Sequence, residues 1–148
     1  MAQQLLPPKL LNLFLVVAVG LHFLFPIIQI IDPPSTLFGF IVISLGIILN
    51  FWAFKVLGNN NTTIDFNGKT TRLVTTGPFQ ISRNPMYLGG VVLSLGIAVT
   101  LGSLSTFVFP LALLLILNTY YIPYEEMNLE KEFGDEYREY KRRVRRWI

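Results

Sequence analysis

Apolar and polar positions fall in long blocks rather than in alternation. Residues 10–31, 33–54 and 84–124 contain no Asp, Glu, Lys or Arg and carry almost all of the apolar mass. An α-helix rises about 1.5 Å per residue and the hydrocarbon core of a bilayer is about 30 Å thick, so roughly 20 residues cross it. The third block is therefore long enough for two passes, with a natural break at Gly102-Ser103-Leu104-Ser105. The pattern predicts spans at roughly 10–31, 36–57, 85–102 and 105–124. From Glu125 onward the period changes. Leu129, Phe133, Tyr137, Tyr140, Val144 and Trp147 recur at spacings of three and four, which predicts an amphipathic helix over 125–147. Its other face holds Arg138, Lys141, Arg142, Arg143, Arg145 and Arg146, with the acids concentrated earlier, an order that suits the helix dipole. The expected fold is an all-α integral membrane protein of four transmembrane helices plus a C-terminal amphipathic interfacial helix, one domain over residues 1–148.

Charge gives this arrangement an orientation. All 12 Lys and Arg residues fall on one side: Lys9, the loop between the second and third spans, and the tail. The opposite turns, Asp32-Pro33-Pro34-Ser35 and 102–105, hold no basic residue. Basic residues collect in cytoplasmic loops, so both termini and any chemistry are expected on the cytoplasmic face. A basic membrane-proximal surface attracts anionic headgroups at about 1 kcal/mol per Lys or Arg, which makes membrane lipids the expected partners. Nucleic acid is not expected, because no stacking motif accompanies the charge.

Composition narrows the chemistry further. With no cysteine there is no disulfide, thiolate nucleophile or Cys-ligated metal. The single histidine, His22, lies mid-span and reads as a packed polar residue, so no metal site is expected. The N-terminus lacks a small-residue cleavage site, and the first helix is expected to be retained. Asn60 and Asn61 begin glycosylation acceptor triplets that a cytoplasmic loop would leave unused. Gly68-Lys69-Thr70 fails as a phosphate loop, because Thr63 stands where that motif needs glycine. Gly90, Ser94, Ala98 and Gly102 form a four-residue stripe of small side chains that lets another helix approach closely, within the protomer or between two.

Residues 62–83 form a long polar segment between spans, and such loops are usually functional when ordered. It ends in Gly77-Pro78-Phe79-Gln80-Ile81-Ser82-Arg83-Asn84-Pro85-Met86-Tyr87, which enters the third span; Tyr124-Glu125-Glu126 leaves the fourth. A short turn joins those two spans, so the two clusters are neighbours. Pro85 suits a first helical turn. The free amides of that turn, with Arg83, attract an anion, while the adjacent carboxylates attract a cation or a sugar diol. The pairing fits a zwitterionic amino-acid moiety. The same residues also read as ordinary charges flanking a span.

The run Leu73-Val74-Thr75-Thr76-Gly77-Pro78-Phe79, then Ser82-Arg83-Asn84-Pro85-Met86-Tyr87-Leu88-Gly89, resembles the signature of the isoprenylcysteine carboxyl methyltransferase and phospholipid N-methyltransferase superfamily. So do Glu125-Glu126, Leu129, Phe133-Gly134, Tyr137, Tyr140 and Arg146-Trp147-Ile148. The resemblance covers roughly residues 70–148. It implies an integral-membrane methyltransferase using S-adenosyl-L-methionine. Leu73, Val74 and Gly77 would line the adenine side. Arg83, Asn84 and Tyr87 would hold the methionine end, with Glu125 and Glu126 on its ammonium or the ribose hydroxyls. Eukaryotic members generally carry His where this chain has Asn84, which leaves no catalytic base assigned there. Methyl transfer from a sulfonium asks for alignment more than for a nucleophile or metal, in keeping with the residues available. A reductase binding NADPH through residues 142–146 and a non-catalytic scaffold are the alternatives. The acceptor, expected to be lipophilic and to enter from the bilayer beneath a roof of Phe133, Tyr137, Tyr140 and Trp147, is left open between carboxylate, amine and thiol.

Overall fold

The computed structural model describes residues 7–24, 27–60 and 72–148, and all regular elements among them are helical. Helix α1 runs Pro7–Leu24, α2 Phe38–Asn59 and α3 Pro85–Leu101. A 3₁₀ turn at Leu104–Phe107 then leads into α4 (Val108–Ile116), a π-turn at Leu117–Tyr121, and α5 (Ile122–Phe133). Together these form one continuous helix, Leu104–Phe133. Helix α6 (Asp135–Arg143) follows. Among the described residues two helices, Ser35–Asn59 and Leu104–Phe133, are long and apolar enough to cross a membrane; Lys9–Leu24 and Pro85–Leu101 are apolar but shorter.

Three boundaries differ from the sequence pattern. The first span was expected to reach residue 31, yet Ile27 to Ile31 lie outside any helix. Their amides bond instead to the turn between α3 and α4: Ile30 N and Ile31 N donate to Gly102 O (2.9 and 3.1 Å), and Leu104 N donates to Ile28 O (2.8 Å). The proline at 26 lacks the amide that a continuing helix needs. Secondly, no helix begins at Glu125. The charged residues 125–133 continue the fourth helix, and the break falls at Gly134, whose φ of 53° any side chain would disfavour. Thirdly, the expected amphipathic helix over 125–147 ends at Arg143. Val144 is extended (φ −119°, ψ 133°), and residues 144–148 form a strap whose main-chain groups bond to the segment before α3.

The α2–α3 contact is close because glycines face glycines. A Cβ on Gly46 would lie 2.7 Å from Leu93 N, and one on Gly96 would lie 2.6 Å from Ile43 N. The four-residue stripe seen in the sequence faces elsewhere. Gly90 looks onto Leu11 of α1 at 3.6 Å, and Ser94 and Ala98 are buried within the chain. Leu10, Tyr87, Leu113, Leu117 and Ile122 form the core between α1, α3 and the fourth helix, with Trp147 of the strap packed against it. At the turn end, His22 Nδ1 lies 2.9 Å from Ser103 Oγ, a satisfied polar contact that ties α1 to the α3–α4 turn.

Candidate active site

The charged end of the bundle is organised around Glu126. As the fifth residue of α5 it points inward, with a side chain 6% exposed. Arg83 Nη2 donates to its Oε1 (2.7 Å) and Arg146 Nη2 to its Oε2 (2.8 Å), with Arg146 Nε closing on Oε1 at 3.3 Å. Arg83 is held equally firmly from the other side. Its Nη1 donates to the carbonyls of Lys141 (3.0 Å) and Val144 (2.7 Å), and its main-chain N donates to Arg145 O (3.0 Å). A carboxylate at this depth is stable because two guanidinium groups compensate it.

Residues 82–84 and the strap lock together through main-chain oxygens. Ser82 Oγ and Asn84 Nδ2 both donate to Arg146 O, each at 3.1 Å. Asn84 N donates to Ser82 Oγ (3.1 Å), and Asn84 O accepts the first helical bond of α3 from Leu88 N. Asn84 is thus a pivot that starts α3 and grips the strap. Tyr140 of α6 donates its hydroxyl to Phe79 O (2.7 Å). Burial raises its phenol well above the ordinary value, so the donor stays protonated. Tyr137, also buried, is raised chiefly by desolvation and secondarily by the charge of Glu126.

Glu125 lies beside this lock and is differently placed. Its carboxylate accepts a hydrogen bond from the Tyr87 hydroxyl, leaving Oε2 buried without a partner. Arg83 Nε is also buried without one. Among the described residues these are the two orphaned buried side-chain polar atoms, one an acceptor and one a donor. Such atoms cost free energy until a ligand or water satisfies them.

The eight residues singled out in the sequence therefore fall into four groups. Arg83, Asn84 and Glu126 are brought together, and Tyr87 is paired with Glu125. Leu73 and Val74 line a separate cavity of about 440 Å³ with Asn60, Thr75, Phe133 and Glu136. Gly77, at φ 63°, packs over the Trp52 ring and Val56 of α2, where a Cβ would sit 3.0 Å from Val56 Cγ2. The two charged clusters meet as expected, but they are bonded to each other rather than standing open. The four aromatic residues expected as one roof have separate duties: Phe133 lines the cavity, Tyr137 and Tyr140 are the buried residues of α6, and Trp147 packs on the core. Of the basic run 142–146, Arg146 is turned inward. Asn118, inside the apolar block, was not singled out at all. Its Oδ1 accepts from Arg146 Nη1 (3.1 Å) and Trp147 Nε1 (3.2 Å).

A family model described as phospholipid methyltransferase matches residues 34–136. An uncharacterized protein of Haemophilus influenzae is 40% identical over 63 residues, which is 43% of this chain and all of that protein. No solved structure matches the chain.

Proposed function

The chain belongs to the phospholipid methyltransferase family, and on that premise we propose that it is an S-adenosyl-L-methionine-dependent enzyme methylating a lipophilic acceptor at the cytoplasmic face of a membrane. One observation carries the reading: the buried orphan donor of Arg83 and orphan acceptor of Glu125 lie inside the matched region. A zwitterionic amino-acid group needs one of each.

S-Adenosyl-L-methionine supplies a methyl group on a sulfonium, a leaving group that makes alignment the chief demand on the protein. Arg83 Nε and the first-turn amides of α3 would take its carboxylate, where the helix dipole adds partial positive charge. Glu125 Oε2 would take its ammonium or the ribose hydroxyls, with Tyr87 orienting that carboxylate. Leu73 and Val74 would take the adenine in their cavity, whose volume lies within the range of small-molecule sites. Asn84 and Glu126 act as holders, keeping the start of α3 and the strap in register. Gly77 shapes the approach to this wall from α2.

The membrane arrangement belongs to the same proposal. All four apolar helices cross, α3 alongside α2 on their facing glycines, with both termini and the charged end cytoplasmic. Side chains such as Phe40, Phe51, Leu111 and Leu115 are exposed and apolar and would meet lipid. A lipophilic carboxylate, amine or thiol then reaches the site sideways from the bilayer, where exclusion of water strengthens the aligning electrostatics.

The test uses purified protein in liposomes with methyl-labelled cofactor and matched acceptors, with and without a lipid chain. Wild type should bind S-adenosylhomocysteine and label lipidated acceptors faster than their soluble counterparts. Glu125→Gln should weaken binding roughly tenfold, the worth of one charge-assisted hydrogen bond. Absence of S-adenosylhomocysteine binding by the wild type would overturn the reading.

A further inference from the structure

The geometry points to Asn118 and the π-turn around it as the device that sets the register of the C-terminal strap, and through the strap the position of Glu126 and Asn84. Thr119, the next residue, bonds back to its own helix at Leu115 O (2.7 Å). Asn118 instead reaches another element, and one carboxamide oxygen takes donors from two consecutive residues, Arg146 and Trp147. Fixing two successive side chains fixes the direction of the backbone between them. That backbone carries Arg146 O, the acceptor for Ser82 and Asn84.

The π-turn explains how Asn118 and Glu126 serve the same guanidinium. They are eight residues apart in sequence. In a regular α-helix eight residues make about 2.2 turns, which would leave the two side chains roughly 80° apart. A π-turn inserts one extra residue into the helix. The step then turns the helix about as far as seven residues, close to two full turns, and both side chains share a face. Arg146 lies along that face with Nη1 on Asn118 and with Nε and Nη2 on Glu126. Leu117–Tyr121 is an otherwise costly irregularity in an apolar helix, and this alignment gives it a purpose. Asn118 touches none of the orphaned atoms. It is a positioning residue acting through Arg146.

The strap's position is read directly from Trp147, because the chain holds only two tryptophans. In a Trp52→Phe background Trp147 is the sole indole, and its quenching by acrylamide reports whether the strap is seated. Asn118→Leu removes the acceptor while keeping the volume, and Asn118→Asp keeps an acceptor facing Arg146. Asn118→Leu should raise the quenching constant at least threefold, whereas Asn118→Asp should stay within about twofold of the parent. Deleting Thr119 takes out the extra residue and leaves Asn118 and Glu126 seven residues apart on a regular α-helix, close to two full turns, so Trp147 should stay within about twofold of the parent. Far-UV circular dichroism of each variant guards against global unfolding. If Asn118→Leu leaves Trp147 as protected as the parent, or if Asn118→Asp loosens it equally, the positioning role is overturned. A second arm rests on the cofactor reading above: S-adenosylhomocysteine affinity should fall about tenfold in Asn118→Leu and recover in Asn118→Asp. A wild type that does not bind S-adenosylhomocysteine would overturn that reading alone, since the Trp147 signal decides the strap independently.

Discussion

Glu126→Ala is the substitution whose cost the structure specifies most sharply. It removes a carboxylate 6% exposed and strands the Arg83 guanidinium, 9% exposed, that donates to it at 2.7 Å. Arg146 loses both of its short contacts to that side chain at the same time. Surface ion pairs contribute about 0–1 kcal/mol, but removing one partner of a buried pair leaves a charge uncompensated and costs about 3–5 kcal/mol. For a chain of this length each kcal/mol corresponds to about 2–4 °C in the unfolding midpoint. Glu126→Ala should therefore lower the midpoint by about 6–20 °C. The assay is thermal unfolding of the purified protein in one detergent, followed by intrinsic fluorescence. Glu130→Ala is the internal control, because its bridges to Arg138 and Lys141 lie nearer the solvated surface and the loss of each should lower the midpoint by only about 0–4 °C. A Glu126→Ala midpoint within about 2 °C of wild type would refute the argument, since Arg83 would then have found another partner or water.

Two further expectations follow from other parts of the molecule. Gly96→Val puts a branched side chain where even a Cβ would lie 2.6 Å from Ile43 N. It should cost at least about 1–3 kcal/mol, whereas Gly90→Ala, which meets Leu11 only at 3.6 Å, should be tolerated; equal midpoints for the two variants would deny the glycine-to-glycine contact. Single cysteines placed at Pro34, Asn60, Leu104 and Ile148 of this cysteine-free chain should divide by membrane-impermeant labelling into outside (34 and 104) and cytoplasmic (60 and 148). Labelling of position 60 from outside would end the four-pass proposal.

The sequence made the blocks legible because burial in lipid acts on composition, which any residue-by-residue reading detects. Arg83, Asn84 and Glu126 were likewise found as neighbours, since a short turn after α3 forces the charged ends of two helices together. The strap was misread for a physical reason. Val144 and Trp147 fit a helical period, but period does not reveal that the main chain there finds better partners in Arg83, Ser82 and Asn84 than in its own next turn. The change from apolar to charged at Glu125 reads as a boundary, yet a helix backbone feels no discontinuity when only its surroundings change. Gly89 and Gly96 repeat at seven residues beside the more conspicuous four-residue stripe, so the stripe drew attention to the wrong face of α3. The π-turn leaves no mark in composition, and Asn118 is one polar residue in an apolar run. Only the position of Arg146, contributed from 28 residues further along, gives it meaning.

The strap also imposes an order of events on biosynthesis. Residues 144–147 leave the ribosome after every group they bind: Ser82, Arg83, Asn84, Asn118 and Glu126. Until those residues are in place, Glu126 lacks Arg146, and Arg83 lacks the carbonyls of Val144 and Arg145 that later confine it. The charged end becomes a closed, ion-paired wall only when residues 144–147 arrive.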